Sequence, residues 1–338
     1  MRARVPGLLL TVVAGSGFVG AGCGRVGYQS IAVEADGGDG SIADGGPGDG
    51  GPGDGGPGDG GPGDGGPMRC DWSAGPPAFG APAKVPGVNS PSDEGNPVPS
   101  ADELLLAFSS ARTGGGDFYV ASRATRADAF GAPVAISELN SAQRESKIAF
   151  TGDRLDAVFA STRMVGMGLA DLFEATRTSM STPFVSISSL SGLNTPSDEL
   201  DPFLVADGLL LLFAPQGRAG GMGLQDLFST TRANATAPFA APTPLANVNT
   251  ASVEADPSMT GDGLVLVFAS DRSGTSDLYY ATRASTAVDF GAPLPIASVN
   301  TAGDELDPYV SDDGCSLYFV MDPVGDPNAG EIFVVRRP

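Results

Sequence analysis

Residues 239–283 read FAAPTPLANVNTASVEADPSMTGDGLVLVFASDRSGTSDLYYATR, and the same phrase recurs along the whole chain. Its opening phenylalanine returns as Phe79, Phe130, Phe184, Phe239 and Phe290, at steps of 51, 54, 55 and 51 residues. Within the phrase, Asp262-Gly263 is a hairpin signal, because glycine takes positive φ without steric cost. The apolar run Leu264–Phe268 that follows lacks polar alternation, as expected of a strand covered on both faces. A period of about 50 residues holding several short strands marks a propeller or solenoid.

Each unit resolves into four strands. In residues 199–245 the first runs through Asp201–Val205, and Asp207-Gly208 makes the turn. The second is Leu209–Phe213, the third Asp226–Arg232 and the fourth Phe239–Leu245. First strands begin near Glu94, Glu145, Glu199, Glu254 and Glu305, which predicts five blades. The fifth unit holds only three strands and ends at Glu331–Arg337, while a fourth-type strand, Phe79–Val85, stands unclaimed before the first unit. The economical solution is an all-β, five-bladed propeller over residues 68–338 whose N-terminal strand closes the last blade. Closure removes a sheet edge that would otherwise invite aggregation. Cys70 would then lie beside Cys315, and the reading predicts a disulfide pinning the ring.

The motifs Asp256-Pro257, Asp262-Gly263, Phe268-Ala269-Ser270-Asp271-Arg272 and Asp277-Leu278-Tyr279 resemble the WD40-like (PD40) repeat of the TolB propeller family. That resemblance covers all five units. It implies a bacterial envelope protein whose propeller binds partners without catalysis.

The ends of the chain point the same way. Residues 1–22 read as a signal peptide: Arg2 and Arg4, the apolar Leu8–Val13, then small residues up to Gly22. Ala21-Gly22-Cys23 resembles a lipobox, which implies lipidation of Cys23 and anchoring to the outer membrane. Without lipidation the chain would be secreted. Residues 23–67 form a linker carrying DGGPG repeats, with Asp44, Asp49, Asp54, Asp59 and Asp64 five apart. Glycine, proline and like charge, with nothing apolar to bury, predict a disordered tether.

Composition narrows the function. The net charge of −21 opposes binding to nucleic acid and to anionic lipid, so any membrane contact is assigned to the anchor alone. Histidine is absent, which removes Ser-His-Asp and Cys-His catalysis and His-ligated zinc. Two acidic sets remain. Glu94, Glu145, Glu199, Glu254 and Glu305 occupy equivalent places at blade entrances, joined by Asp201, Asp256 and Asp307. At the channel mouth they would form a ring of hard oxygens suited to Ca2+ or another ligand. The competing reading pairs them with arginines ending the third strands, Arg123, Arg177, Arg232, Arg283 and Arg336, and the repetition of both partners favours it. Asp117, Asp171, Asp226 and Asp277 also recur and read as turn caps. An enzyme reading, a carbohydrate-active hydrolase using Asp/Glu pairs at the propeller mouth, is the alternative.

Departures from the repeat are more informative than the repeat. Met164, Met167 and Leu169, and Met222 and Leu224, sit in Gly-rich loops lengthened in two adjacent blades. Flexible apolar side chains there suit contact with a protein or an envelope polymer. The sequence thus predicts a monomeric, non-catalytic binding scaffold with no catalytic residues and no required cofactor or metal.

Overall fold

The repeated phrase folds into sheets. In the computed structural model, which describes residues 69–164, 166–322 and 330–338, five antiparallel four-stranded sheets form a five-bladed propeller. The innermost strands are Glu94–Pro99, Glu145–Phe150, Glu199–Leu204, Glu254–Met259 and Asp304–Val310. Each packs against the innermost strand of both neighbouring blades, and the fifth meets the first. The signal peptide, Cys23 and the linker expected over residues 1–67 lie outside the described residues.

Strand length follows proline placement. Blades 1, 3 and 4 follow their phenylalanine with Gly-Ala-Pro or Ala-Ala-Pro, and their outermost strands are only two residues: Val134–Ala135, Thr243–Pro244 and Leu294–Pro295. Proline lacks the N–H that the ladder requires. Blade 2 reads Phe184-Val185-Ser186-Ile187-Ser188, without proline, and its outer strand extends over Val185–Ser189. The fourth strand expected over Phe239–Leu245 is therefore shortened, and Phe239 itself stands before it.

The N-terminal segment closes the ring. Ala83 and Lys84 pair antiparallel with Val334 and Phe333. Backbone bonds from Gly80 to Arg336 and from Val85 to Ile332, both 2.9 Å, flank that short ladder. Cys70 and Cys315 are joined by a disulfide with Cα atoms 5.2 Å apart. Trp72 packs on Phe79 and Tyr280 and donates its indole N–H to the Gly314 carbonyl. The core lies between blades, where Phe118, Phe159 and Phe173 fill one seam and Phe268 and Leu266 another. Each such side chain contributes about 1.5–3 kcal/mol on burial.

The two faces of the propeller differ. First strands enter from the face bearing the connections between second and third strands, here the loop face. They leave at the turn face, where Asp102, Asp153, Asp207, Asp262 and Asp313 start the tight corners.

Candidate functional site

The five glutamates are buried anchors and do not ring the channel mouth. Glu94, Glu145, Glu199, Glu254 and Glu305 are all 0% exposed. Each accepts the backbone N–H and hydroxyl of the Ser or Thr four residues earlier, Ser90, Ser141, Thr195, Thr250 or Thr301. Their cations are not the third-strand arginines expected from sequence. Glu94 pairs with Arg112, Glu145 with Arg163 and Glu254 with Arg272 at 3.0–3.1 Å, all from the loop after the second strand. The antiparallel register decides this: it sets Glu94 opposite Ser110 and Glu254 opposite Ser270, so the residues just past the second strand reach the glutamate.

Two blades weaken that arrangement. In blade 3 Pro215 replaces the serine that elsewhere donates to the glutamate, and Arg218 stands off at 3.7 Å. Burial then pushes the Glu199 carboxyl up to about 7, only partly countered by Thr195 and Arg218. In blade 5 Met321 takes the serine place, and the sequence has proline rather than arginine two residues on. Burial likewise raises Glu305.

The third-strand arginines have a different task. Arg123, Arg177, Arg232 and Arg283 stack over Phe130, Phe184, Phe239 and Phe290 at 4.4–4.6 Å. Each also donates its Nε–H to the carbonyl of the residue after the corner aspartate. The recurring phenylalanine is thus the platform of a cation–π contact locking each corner to its blade. Arg336 departs from the set: it bonds Glu103 at 2.6 Å, and Glu103 also accepts from Tyr318 and Ser316. Glu103 belongs to blade 1 and these partners to blade 5, so the contact latches the closure. Asp171 and Asp226 cap turns as expected, each accepting two loop amides.

The axis carries a charge cluster that sequence reasoning saw only in part. Two residues after the buried glutamate, the first strands carry Asn96, Lys147, Asp201, Asp256 and Asp307. Lys147 Nζ lies 3.2 Å from Asp256, both nearly inaccessible. Asp256 stands within hydrogen-bond reach of Asp201 and Asp307. Burial and the Asp256 charge drive Asp201 and Asp307 well above the usual carboxylate range, so both are protonated donors to Asp256. Burial opposes the ionised form of Asp256 too, but Lys147 and these two donors outweigh it and hold its pKa low. Gln225 donates to Asp201 and the Asn96 amide N–H to Asp307. Asn96, Asp201, Asp256 and Asp307 all adopt φ of 52–55°, a region Asn and Asp tolerate, which turns these side chains inward at the bulge. Lys147 could have been found by aligning the five units column by column. Among the described residues, no group of three or more Cys, Asp or Glu is disposed to hold a metal ion.

Above the cluster, Tyr309, Phe150, Phe203 and Met259 close the channel at the turn face. The depression there holds about 40 Å³ and is bordered by Arg154 and Asp312. Ligand pockets for drug-sized molecules run to about 300–1,000 Å³.

On the loop face, Met164, Met167, Leu169, Met222 and Leu224 are exposed, Met164 by 91%. Their loops are nevertheless tied down. A Cβ on Gly168 would lie 2.0 Å from the Ser197 carbonyl oxygen, and one on Gly223 2.1 Å from that of Ser252. The glycines thus let each loop rest on the next blade while apolar side chains point out. No helix among the described residues is long and apolar enough to cross a membrane.

No protein-family model matches the chain, and a search of curated proteins finds no relative. Solved structures do resemble it. A thermostable family-43 glycoside hydrolase superposes with a TM-score of 0.53 at 12% identity, covering 76% of this chain and 92% of that one. The catalytic domain of the Coprinopsis cinerea GH62 α-L-arabinofuranosidase gives 0.51 at 12% identity, with 77% and 97% covered. TolB from Acinetobacter baumannii gives 0.46 at 15% identity, and the match spans 73% of this chain but 56% of that TolB. At these identities the likeness is one of fold alone.

Proposed function

We propose that this chain is a non-catalytic binding scaffold of the bacterial envelope, a PD40-type propeller lipoprotein held by Cys23 on a Gly/Pro/Asp tether. Its loop face engages a protein or an envelope polymer. The observation carrying this reading is the pair of tied loops that expose Met167, Leu169, Met222 and Leu224 on adjacent blades. Apolar side chains on a fixed backbone cost little ordering entropy when a partner covers them.

The hydrolase alternative shares the fold but meets two obstacles. Asp201 and Asp307 are hydrogen-bonded to Asp256, whose charge is paired with Lys147. Glycosidases instead hold two carboxyls about 5–9.5 Å apart across an open substrate cleft. The depression of about 40 Å³ has no room for a sugar ring.

The experiment sets M167S/L169S/M222S/L224S against wild type. The expected result is an unchanged melting temperature with loss of the crosslinks that site-specific photo-crosslinkers placed at the neighbouring exposed positions 164 and 219 form in envelope fractions. Crosslinking that persists in the variant overturns the assignment of the face. Hydrolysis of arabinan or xylan by wild type, abolished by D256N, overturns the non-catalytic reading.

A further inference from the structure

At the corner after each first strand, blades 3, 4 and 5 carry Gly208, Gly263 and Gly314, all at φ +72°. Blades 1 and 2 carry Glu103 and Arg154 instead, at φ +56° and +58°. Neither side chain relieves that left-handed backbone as Asn or Asp would, so each must be supported by its surroundings. Glu103 is: Arg336, Tyr318 and Ser316 surround its carboxylate.

Arg154 has no such account within the fold. It is 7% exposed, and its only side-chain hydrogen bond among the described residues is to the Val98 carbonyl at 2.9 Å, with Phe150 stacked at 4.8 Å. Lys147, Arg123 and Arg232, the other cations whose side chains are less than a tenth exposed, each have a carboxylate within 4 Å. Among the described residues Arg154 has none. Its guanidinium borders the depression at the turn face, and so does Tyr309, whose hydroxyl makes no hydrogen bond among the described residues. Burial lowers the Arg154 pKa only to about 10, so the group is a cation at neutral pH.

A guanidinium without a carboxylate and a hydroxyl without an acceptor among the described residues thus both line a recess walled by Phe150, Phe203 and Met259. At about 40 Å³ the recess holds roughly three waters, which is also the size of a carboxylate with one or two carbons attached. We propose that Arg154 and Tyr309 form a carboxylate-binding site, with the guanidinium taking the oxygens in charge-assisted bonds and the apolar walls taking the attached alkyl group. Asp312 on the rim and Asp102 near Arg154 exclude polyanions, which restricts the ligand to a single carboxylate. Asp102 is itself held by Ser100 and Leu104 of its own corner, leaving Arg154 unpaired. The site lies on the face opposite the Met/Leu loops, so it stands or falls independently of them.

The test uses mature, disulfide-bonded protein titrated with sodium propionate against sodium chloride at equal ionic strength, read by calorimetry and by melting temperature. Wild type is expected to bind propionate saturably. R154G restores the glycine that suits this backbone, so it should fold with an undiminished melting temperature, yet lose affinity about tenfold or more. Y309F should lose less. A short apolar peptide with a free C-terminus, compared with its amide, distinguishes a chain terminus from a free carboxylic acid as the natural source. Absence of saturable propionate binding by wild type, or R154G binding as well as wild type, refutes the site.

Discussion

Replacing Glu103 by glutamine tests how the ring is held shut. Glu103 is 2% exposed and accepts from Arg336 at 2.6 Å, Tyr318 at 2.7 Å and Ser316 at 2.8 Å, with Arg123 at 3.4 Å. The Gln variant keeps the volume and the backbone strain but removes the charge. Arg123, whose side chain is 3% exposed, then stays buried without a counter-ion. Breaking a buried pair in this way costs about 3–5 kcal/mol. Arg336 is 35% exposed, and solvent recovers part of its loss, so the lower end, about 3 kcal/mol, applies. For a domain of this size that lowers the melting temperature by about 6–12 °C. Trp72, the single tryptophan, packs beside the closing segment and reports the transition by fluorescence.

The pH dependence gives a second readout of the same latch. Burial alone would raise the Glu103 pKa, but hydrogen bonds from Arg336, Tyr318 and Ser316 outweigh it and hold the carboxyl below its usual 4.5. A depressed carboxylate stabilises above the unfolded value and loses that contribution as pH falls through the folded one. Wild type should therefore lose stability more steeply below about pH 4.5 than E103Q does. Guanidinium titrations at neutral and acid pH measure both effects. If E103Q unfolds within about 0.5 kcal/mol of wild type at neutral pH, the latch contributes nothing and the argument fails.

Glu199, raised to about 7, behaves in the opposite sense: its folded form holds a proton that the unfolded chain releases. Stability from this group declines as pH rises from about 4.5 to 7, and E199Q should flatten that slope in urea melts. P215S, which restores the missing donor, should flatten it too. Lys147→Met should cost about 3–5 kcal/mol at neutral pH, with the deficit shrinking in acid as Asp256, the ionised member of the axial cluster, becomes neutral, read by calorimetric scans across pH. Reducing Cys70–Cys315, which spans 245 residues, should lower stability by on the order of 5 kcal/mol in the chain-entropy account, measured by melting with and without reductant.

Much of the fold is legible in the sequence because it rests on local signals. Asp-Gly corners, apolar second strands and a count of strands per unit give five blades and a borrowed closing strand. The candidate site is less legible. The arginine partners of the buried glutamates were misassigned because two arginines recur in every intact unit, and spacing alone does not say which one faces inward. Register settles it, since Glu94 opposes Ser110 and Arg112 follows directly. Lys147, Glu103 and Arg154 are visible as column departures, but what each departure does depends on a neighbouring blade.

By itself the sequence determines that this chain is a ring of repeats with an acidic surface, no histidine and two apolar loops. Those are properties of periodicity and composition, carried within single units. Only the tertiary structure decides that Lys147 of blade 2 pairs with Asp256 of blade 4. It alone joins Glu103 to blade 5 and leaves the buried guanidinium of Arg154 without a carboxylate. Such pairings cross blade boundaries, where sequence distance exceeds a hundred residues and no local propensity acts. The recurring phenylalanine marks the scaffold, a platform for an arginine in each of four blades, and the chemistry lies where units meet around the axis.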